Sequence, residues 1–153
     1  TFADKVVVMN VGEVVQVGTP KELFEEPHHT FVGHFIGSPG MNVLDCEVKN
    51  GHAYIAGKRI ATANKASAKA GKSEIGVRPE FVKFSGRGLE ARVVKVSDAG
   101  RFSVVEADSA GGRVRLLVDE GGSIPSDTAH LEFDPAATRI YTDGWLAGRE
   151  GRP

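Results

Sequence analysis

AKAGKSEIGVRPEF, residues 68–81, is the stretch whose reading separates two folds. With Ala66 and Ser67 in front, its first half fits a relaxed phosphate-loop pattern: Ala or Gly, four residues, then Gly71, Lys72 and Ser73. Such a loop needs a buried strand before it and a helix after it, because the helix N-terminus presents N–H groups and a dipole to the anion. The preceding KRIATANKAS (58–67) is too polar for a buried strand. After Ser73 come Ile75, Gly76, Val77 and Pro79, which oppose a helix and favour a strand. Gly71, Lys72 and Ser73 therefore read as a linker that cradles no phosphate. RLLVDE (115–120) imitates an apolar strand ending in a magnesium-binding Asp119 and a catalytic Glu120. Val114, Leu116 and Val118 instead alternate with Arg113 and Arg115, as in a half-buried strand, and Gly121-Gly122 turns the chain. SAGGR (109–113) between strands reads as a hairpin turn. This leaves no catalytic, cofactor-binding or metal-ligating residue to expect.

Working outward, residues 5–10 (KVVVMN) suggest a strand buried on both faces, because the run does not alternate. Gly12 turns the chain into a second strand closed by Gly18. Thr19, Pro20 and Glu22 form a capping-box start for a short helix, which Pro27 ends. A second helix opens near Thr30, with Phe31, Val32, Phe35 and Ile36 on one apolar stripe. Gly37-Ser38-Pro39-Gly40 stops it. Beyond Gly40 short β-type runs recur at 43–49, 52–56, 74–78, 81–84, 89–96, 102–107, 113–118 and 129–133. Eight runs at that spacing suggest a small barrel or sandwich. The boundary falls at 38/39, and the polar tail GREGRP reads as frayed.

Composition removes several function classes. The 153 residues are 41% hydrophobic and carry a net charge of −1, so nothing draws the chain in bulk to nucleic acid or anionic lipid. No apolar run approaches the ~20 residues needed to span a bilayer. The single cysteine, Cys46, suits a reducing compartment and a core position. His28, His29 and His34 lack the i, i+4 spacing that faces one metal and read as a solvated helix entry. The chain begins at Thr1, four residues before an apolar run, a start that reads as a cut through a larger protein.

Residues 3–44, ADKVVVMNVGEVVQVGTPKELFEEPHHTFVGHFIGSPGMNVL, resemble the end of the ATPase domain in ATP-binding subunits of maltose- and sn-glycerol-3-phosphate-type ABC importers. That family follows a strand with Gly-x-x-x-Gln-x-Gly-x-Pro, Glu-Leu, Pro, Phe-Val and Phe-Ile-Gly-Ser-Pro-x-Met-Asn. Here these are Gly12, Gln16, Gly18, Pro20, Glu22, Leu23, Pro27, Phe31, Val32, Phe35, Ile36, Gly37, Ser38, Pro39, Met41 and Asn42. Downstream, Gly76, Arg78, Pro79 and Glu80 match the family's Gly-Ile-Arg-Pro-Glu-His segment, with Phe81 for the usual His. HLEFDPAATRIY (130–141) resembles its last His-Leu-Phe-Asp-Pro segment with Glu132 inserted. The resemblance implies a mainly β chain. It would comprise a β-β-α-α remnant of an α/β ATPase domain (1–38) and an OB-like TOBE barrel (39–153).

The same resemblance places the family's P-loop, Q-loop, signature, Walker B pair and switch His upstream of Thr1. ATP and magnesium would then belong to the intact subunit, not to this chain. It further implies a regulatory portion that holds a homodimer together and offers a docking surface to regulatory proteins. Permease subunits would be partners on the cytoplasmic side of the bacterial inner membrane, and the solute would be a sugar, glycerol-3-phosphate or a related polyol. The rival reading is a freestanding OB-type module for an oxyanion or single-stranded nucleic acid. Against it stand the net charge of −1 and an aromatic content of only 7%.

Overall fold

In a computed structural model the chain is described over residues 4–62 and 71–147. The expectations for the polar tail and for the first five positions of the phosphate-loop pattern lie outside the described residues. Strands β1 (Val6–Asn10) and β2 (Glu13–Gly18) form an antiparallel hairpin. Helix α1 (Pro20–Glu25) follows at once, and both halves of its capping box are present: Glu22 N–H donates to Thr19 Oγ1 and Thr19 N–H to Glu22 Oε1. Helix α2 (Thr30–Phe35) is capped by His29, whose Nδ1 accepts from Phe31 N–H at 3.0 Å. Leu23 and Val32 of these helices and Val15 of β2 bury against one another.

Apart from single helical turns at Pro79–Phe81 and Pro135–Ala137, the regular structure that follows is strands. They are β3 (Asn42–Asp45), β4 (Glu47–Lys49), β5 (His52–Ile55), β6 (Lys58–Thr62), β7 (Ser73–Val77), β8 (Val82–Ser85), β9 (Leu89–Asp98), β10 (Phe102–Ser109), β11 (Gly112–Asp119), β12 (Thr128–Phe133), β13 (Arg139–Thr142) and β14 (Trp145–Leu146). They hydrogen-bond as three sheets, ordered β11-β10-β9-β12-β8, β14-β13-β7-β3 and β4-β5-β6. One core serves all three: Leu44 and Ile75 from the second sheet and Ala53 and Ile55 from the third meet Val105, Leu116 and Leu131 from the first. Four hairpins, β1–β2, β4–β5, β5–β6 and β13–β14, turn on a residue-Gly pair with both φ values positive, at Val11-Gly12, Asn50-Gly51, Ala56-Gly57 and Asp143-Gly144. That is the mirror-image turn whose twist matches paired strands.

The mainly β expectation and the short helices stand, and five expectations are corrected. The described ladders do not close into a barrel; three sheets wrap a shared core instead. β1 is not buried on both faces. Its exposure alternates, and Val7 and Met9 are 53% and 54% exposed, because a two-stranded hairpin has only one face against α1 and α2. The α2 stripe is narrower than expected. Val32 is buried, but Phe35 is 71% exposed and Ile36 lies beyond the helix, which is only six residues long. The run 43–49 is two strands in different sheets, broken at Cys46. Strands β6, β13 and β14 were not foreseen, and Phe81 belongs to the single helical turn Pro79–Phe81 rather than a strand.

Candidate functional site

Short helices leave their last carbonyls without intrahelical donors, and burying such groups unpaired is costly. In this chain a single guanidinium meets them. Arg78, just past β7, is 5% exposed. Its Nε and Nη2 donate to Phe24 O at 3.3 and 2.9 Å, near the end of α1. Its Nη1 donates to Gly33 O at 3.2 Å and to Ile36 O, at the end of α2. The guanidinium carbon also lies 4.1 Å from the centre of the Phe24 ring. Burial lowers the Arg78 pKa from its ordinary value, with Glu80 and Tyr141 acting the other way. The group stays cationic, because arginine begins so high. Lysine could not replace it, since a point charge lacks the planar fork that reaches three carbonyls at once.

Other buried polar side chains do similar work around it. Gln16 of β2 donates through Nε2 to Glu26 O at 3.1 Å and accepts His28 N–H at 2.9 Å, bracketing the α1–α2 connection. Tyr141 of β13, wholly buried, donates its hydroxyl to Pro27 O at 2.6 Å, and burial raises its pKa. Asn42 of β3 imitates a peptide: its Nδ2 donates to Arg115 O and its Oδ1 accepts Arg115 N–H, both at 2.8 Å. This ties β3 to β11 where the strand ladders do not. His29 packs edge-on against Trp145 with ring centres 4.7 Å apart, and burial lowers its pKa. Apart from the Asn42 pair, these contacts make a polar joint between the helical segment and the sheets.

The motif residues singled out in the sequence converge here unevenly. Arg78 and Ile36 form the joint, Gly37 and Met41 lie against it, Gly76 packs beneath Met41 and Tyr141, and Asn42 instead ties β3 to β11. Gly37 has φ +100°, and a Cβ there would sit 2.8 Å from Arg78 Nη1. Ser38-Pro39 is a cis peptide leading into β3. Phe35 and Glu80 point to solvent. Gln16, Tyr141 and Trp145 were not among the expected site residues. The Asp143-Gly144 pair, a strong hairpin signal, could have revealed the strands that carry the last two.

The nucleotide look-alikes lie elsewhere. Ser73 starts β7, so a strand and not a helix follows Gly71-Lys72. Lys72 N–H donates to Asp143 Oδ1 at 2.9 Å, and Lys72 Nζ lies 3.4 Å from Asp45 and 3.9 Å from Glu74. Asp119 ends β11 opposite Phe102, and Glu120 N–H donates to Arg101 O across the β10–β11 pair. Among the described residues no group of three or more His, Cys, Asp or Glu could hold a metal ion. Cys46 is half-buried at the core edge, and burial pushes its thiol up to about 11, so it is protonated at neutral pH.

Residues 75–140 match the TOBE domain family model. That match, together with the relatives below, places the chain in the TOBE-bearing region of ABC importer ATP-binding proteins. By sequence the chain is the C-terminal TOBE region of the sn-glycerol-3-phosphate-type family of those proteins. It is 38% identical to the sn-glycerol-3-phosphate import ATP-binding protein UgpC 2 of Agrobacterium fabrum, over 94% of this chain and 43% of that protein. It is 35% identical to UgpC of Rhizobium meliloti, over 92% and 43%. It is 42% identical to the ABC transporter ATP-binding protein y4oS of Sinorhizobium fredii, over 88% and 40%. The chain thus spans less than half the length of the relatives it matches. Among the described residues no helix is long and apolar enough to cross a membrane.

Proposed function

We propose that the chain is the regulatory and dimer-forming portion of the ATP-binding subunit of an ABC importer for glycerol-3-phosphate, a sugar or a related polyol. Residues 1–38 are then the end of the ATPase domain and 39–153 the regulatory domain. The intact subunit binds ATP and magnesium, couples hydrolysis to solute uptake, and docks on permease subunits at the cytoplasmic face of the inner membrane. Two such subunits stay joined through their regulatory domains, which also offer a surface to regulatory proteins. The observation that carries this reading is the Arg78 joint. One side chain of the sheet region grips the ends of both helices, so a displacement of the ATPase segment is passed to the regulatory sheets rather than absorbed in a loose linker.

The test is made in the intact subunit assembled with its permease partners. Arg78→Gln is expected to leave ATP affinity unchanged while lowering solute transported per ATP hydrolysed. Wild-type coupling in that variant would contradict the proposal. Arg78→Lys, which keeps the charge but not the fork, is expected to resemble Arg78→Gln.

A further inference from the structure

Met41, in the connection from α2 to β3, is buried. Its terminal methyl lies between two glycines from different parts of the fold, Gly33 of α2 and Gly76 of β7. A Cβ on Gly33 would overlap Met41 Cε, and one on Gly76 would sit 2.7 Å from the same atom and 2.6 Å from Tyr141 Cε1. Helix and strand therefore both approach this side chain with bare backbone. An unbranched thioether is slim and flexible enough to fill such a gap. The Tyr141 hydroxyl, which donates to Pro27 O, lies 3.9 Å from Met41 Sδ. The main chain of Met41 is engaged as well. Its N–H donates to Gly33 O at 2.9 Å, the carbonyl that also accepts from Arg78 Nη1 at 3.2 Å. One residue thus sets the spacing of α2 from β7 and holds a carbonyl that Arg78 grips.

We propose that Met41 is a positioning residue for the coupling of hydrolysis to uptake, acting through Arg78. Its side chain is a spacer that keeps the end of α2 at a fixed distance from β7, so that the guanidinium stays in reach of Gly33 O and Ile36 O. A shorter side chain lets α2 settle toward the strand, and the joint then passes on less of its displacement. Met41 has this role only if the Arg78 joint couples the two parts, as proposed above.

Solute transported per ATP hydrolysed, by the intact subunit with its permease partners, is the readout. Met41→Val, too short to reach both glycines, is expected to lower that ratio about twofold or more with ATP affinity unchanged. Met41→Leu, close in volume, is expected to stay near wild type. Gly76→Ala enters the gap from the other side, and its methyl is expected to displace Met41 and lower the ratio likewise. Val105→Ala removes buried volume from the shared core away from the joint. It is expected to lower the melting midpoint and keep the ratio. A wild-type ratio in Met41→Val or in Gly76→Ala, with Arg78→Gln uncoupled, overturns the role of Met41 and leaves that of Arg78 standing. Wild-type ratios in Met41→Val and Arg78→Gln together overturn both roles. A ratio as low in Val105→Ala as in Met41→Val also overturns the role of Met41, because lost stability alone then accounts for the effect.

Discussion

Asn42 and His29 illustrate how single side chains stand in for missing backbone partners. Asn42→Leu keeps approximate volume but removes the amide that pairs with both Arg115 N–H and C=O. Urea unfolding is expected to show a loss of about 2–4 kcal/mol. A loss below about 0.5 kcal/mol, the scale of a neutral surface change, would show that water replaces the amide. His29 caps α2 through an unprotonated Nδ1, and burial holds its pKa below the ordinary 6.5. The folded state therefore takes up a proton less readily than the unfolded one. The contribution of the neutral ring is present above pH 6.5, and it is lost as pH falls through 6.5 toward the lower folded value. His29→Asn keeps a capping oxygen but cannot titrate, so its stability is expected to fall less than wild type between pH 7 and 5; parallel curves would contradict this. Much at this scale was legible in the sequence. The Thr19 and Glu22 capping box was readable because it is local. So was the failure of Gly71-Lys72-Ser73 as a phosphate loop, since Ile75, Gly76 and Pro79 speak against a helix. The pairing of Arg78 with Phe24, 54 positions away, was not, because no local pattern announces which carbonyls a distant arginine will meet.

The β1–β2 hairpin is the element with the least support. Its outward face carries Val7 opposite Val17 and Met9 opposite Val14, exposed at 53%, 47%, 54% and 39%. Strand β10, by contrast, is paired on both sides and contributes Val105 and Ala107 to the shared core. Amide hydrogen exchange is expected to be faster over residues 5–16 than over residues 93–118. Equal protection in a chain shown to be monomeric would contradict this. Strands that alternate clearly, β9 to β12, were readable from pattern alone. β1 was misread because four consecutive apolar residues look the same whether one face or two are covered. β6 and β13 were missed because Lys58, Arg59 and Arg139 mask the periodicity. Their turns at Ala56-Gly57 and Asp143-Gly144 were the better signal.

At the scale of the whole molecule, the family reading expects a homodimer formed mainly by the region after Gly40, burying about 1,200–2,000 Å² in total. The exposed valines and methionine of the hairpin offer a competing surface. Light scattering of Val7→Lys/Met9→Lys separates the two: a dimer that persists lies in the sheets, and a monomer places the contact in the hairpin and contradicts the expected interface. Barrel closure could not be read from strand count, since three sheets and one closed sheet bury the same alternating faces. Arg78, bonded to Phe24 O, Gly33 O and Ile36 O, joins the helical segment to the sheets. Trp145, the one tryptophan, sits at that joint against His29 and reports on it by fluorescence, while far-ultraviolet circular dichroism reports on the strands. Urea unfolding of wild type and Arg78→Gln followed by both signals is the direct measurement. Coincident midpoints are predicted for wild type, with the Trp145 transition moving ahead of the strand transition in Arg78→Gln. Separate transitions already in wild type, or no change at either signal in the variant, would contradict the claim.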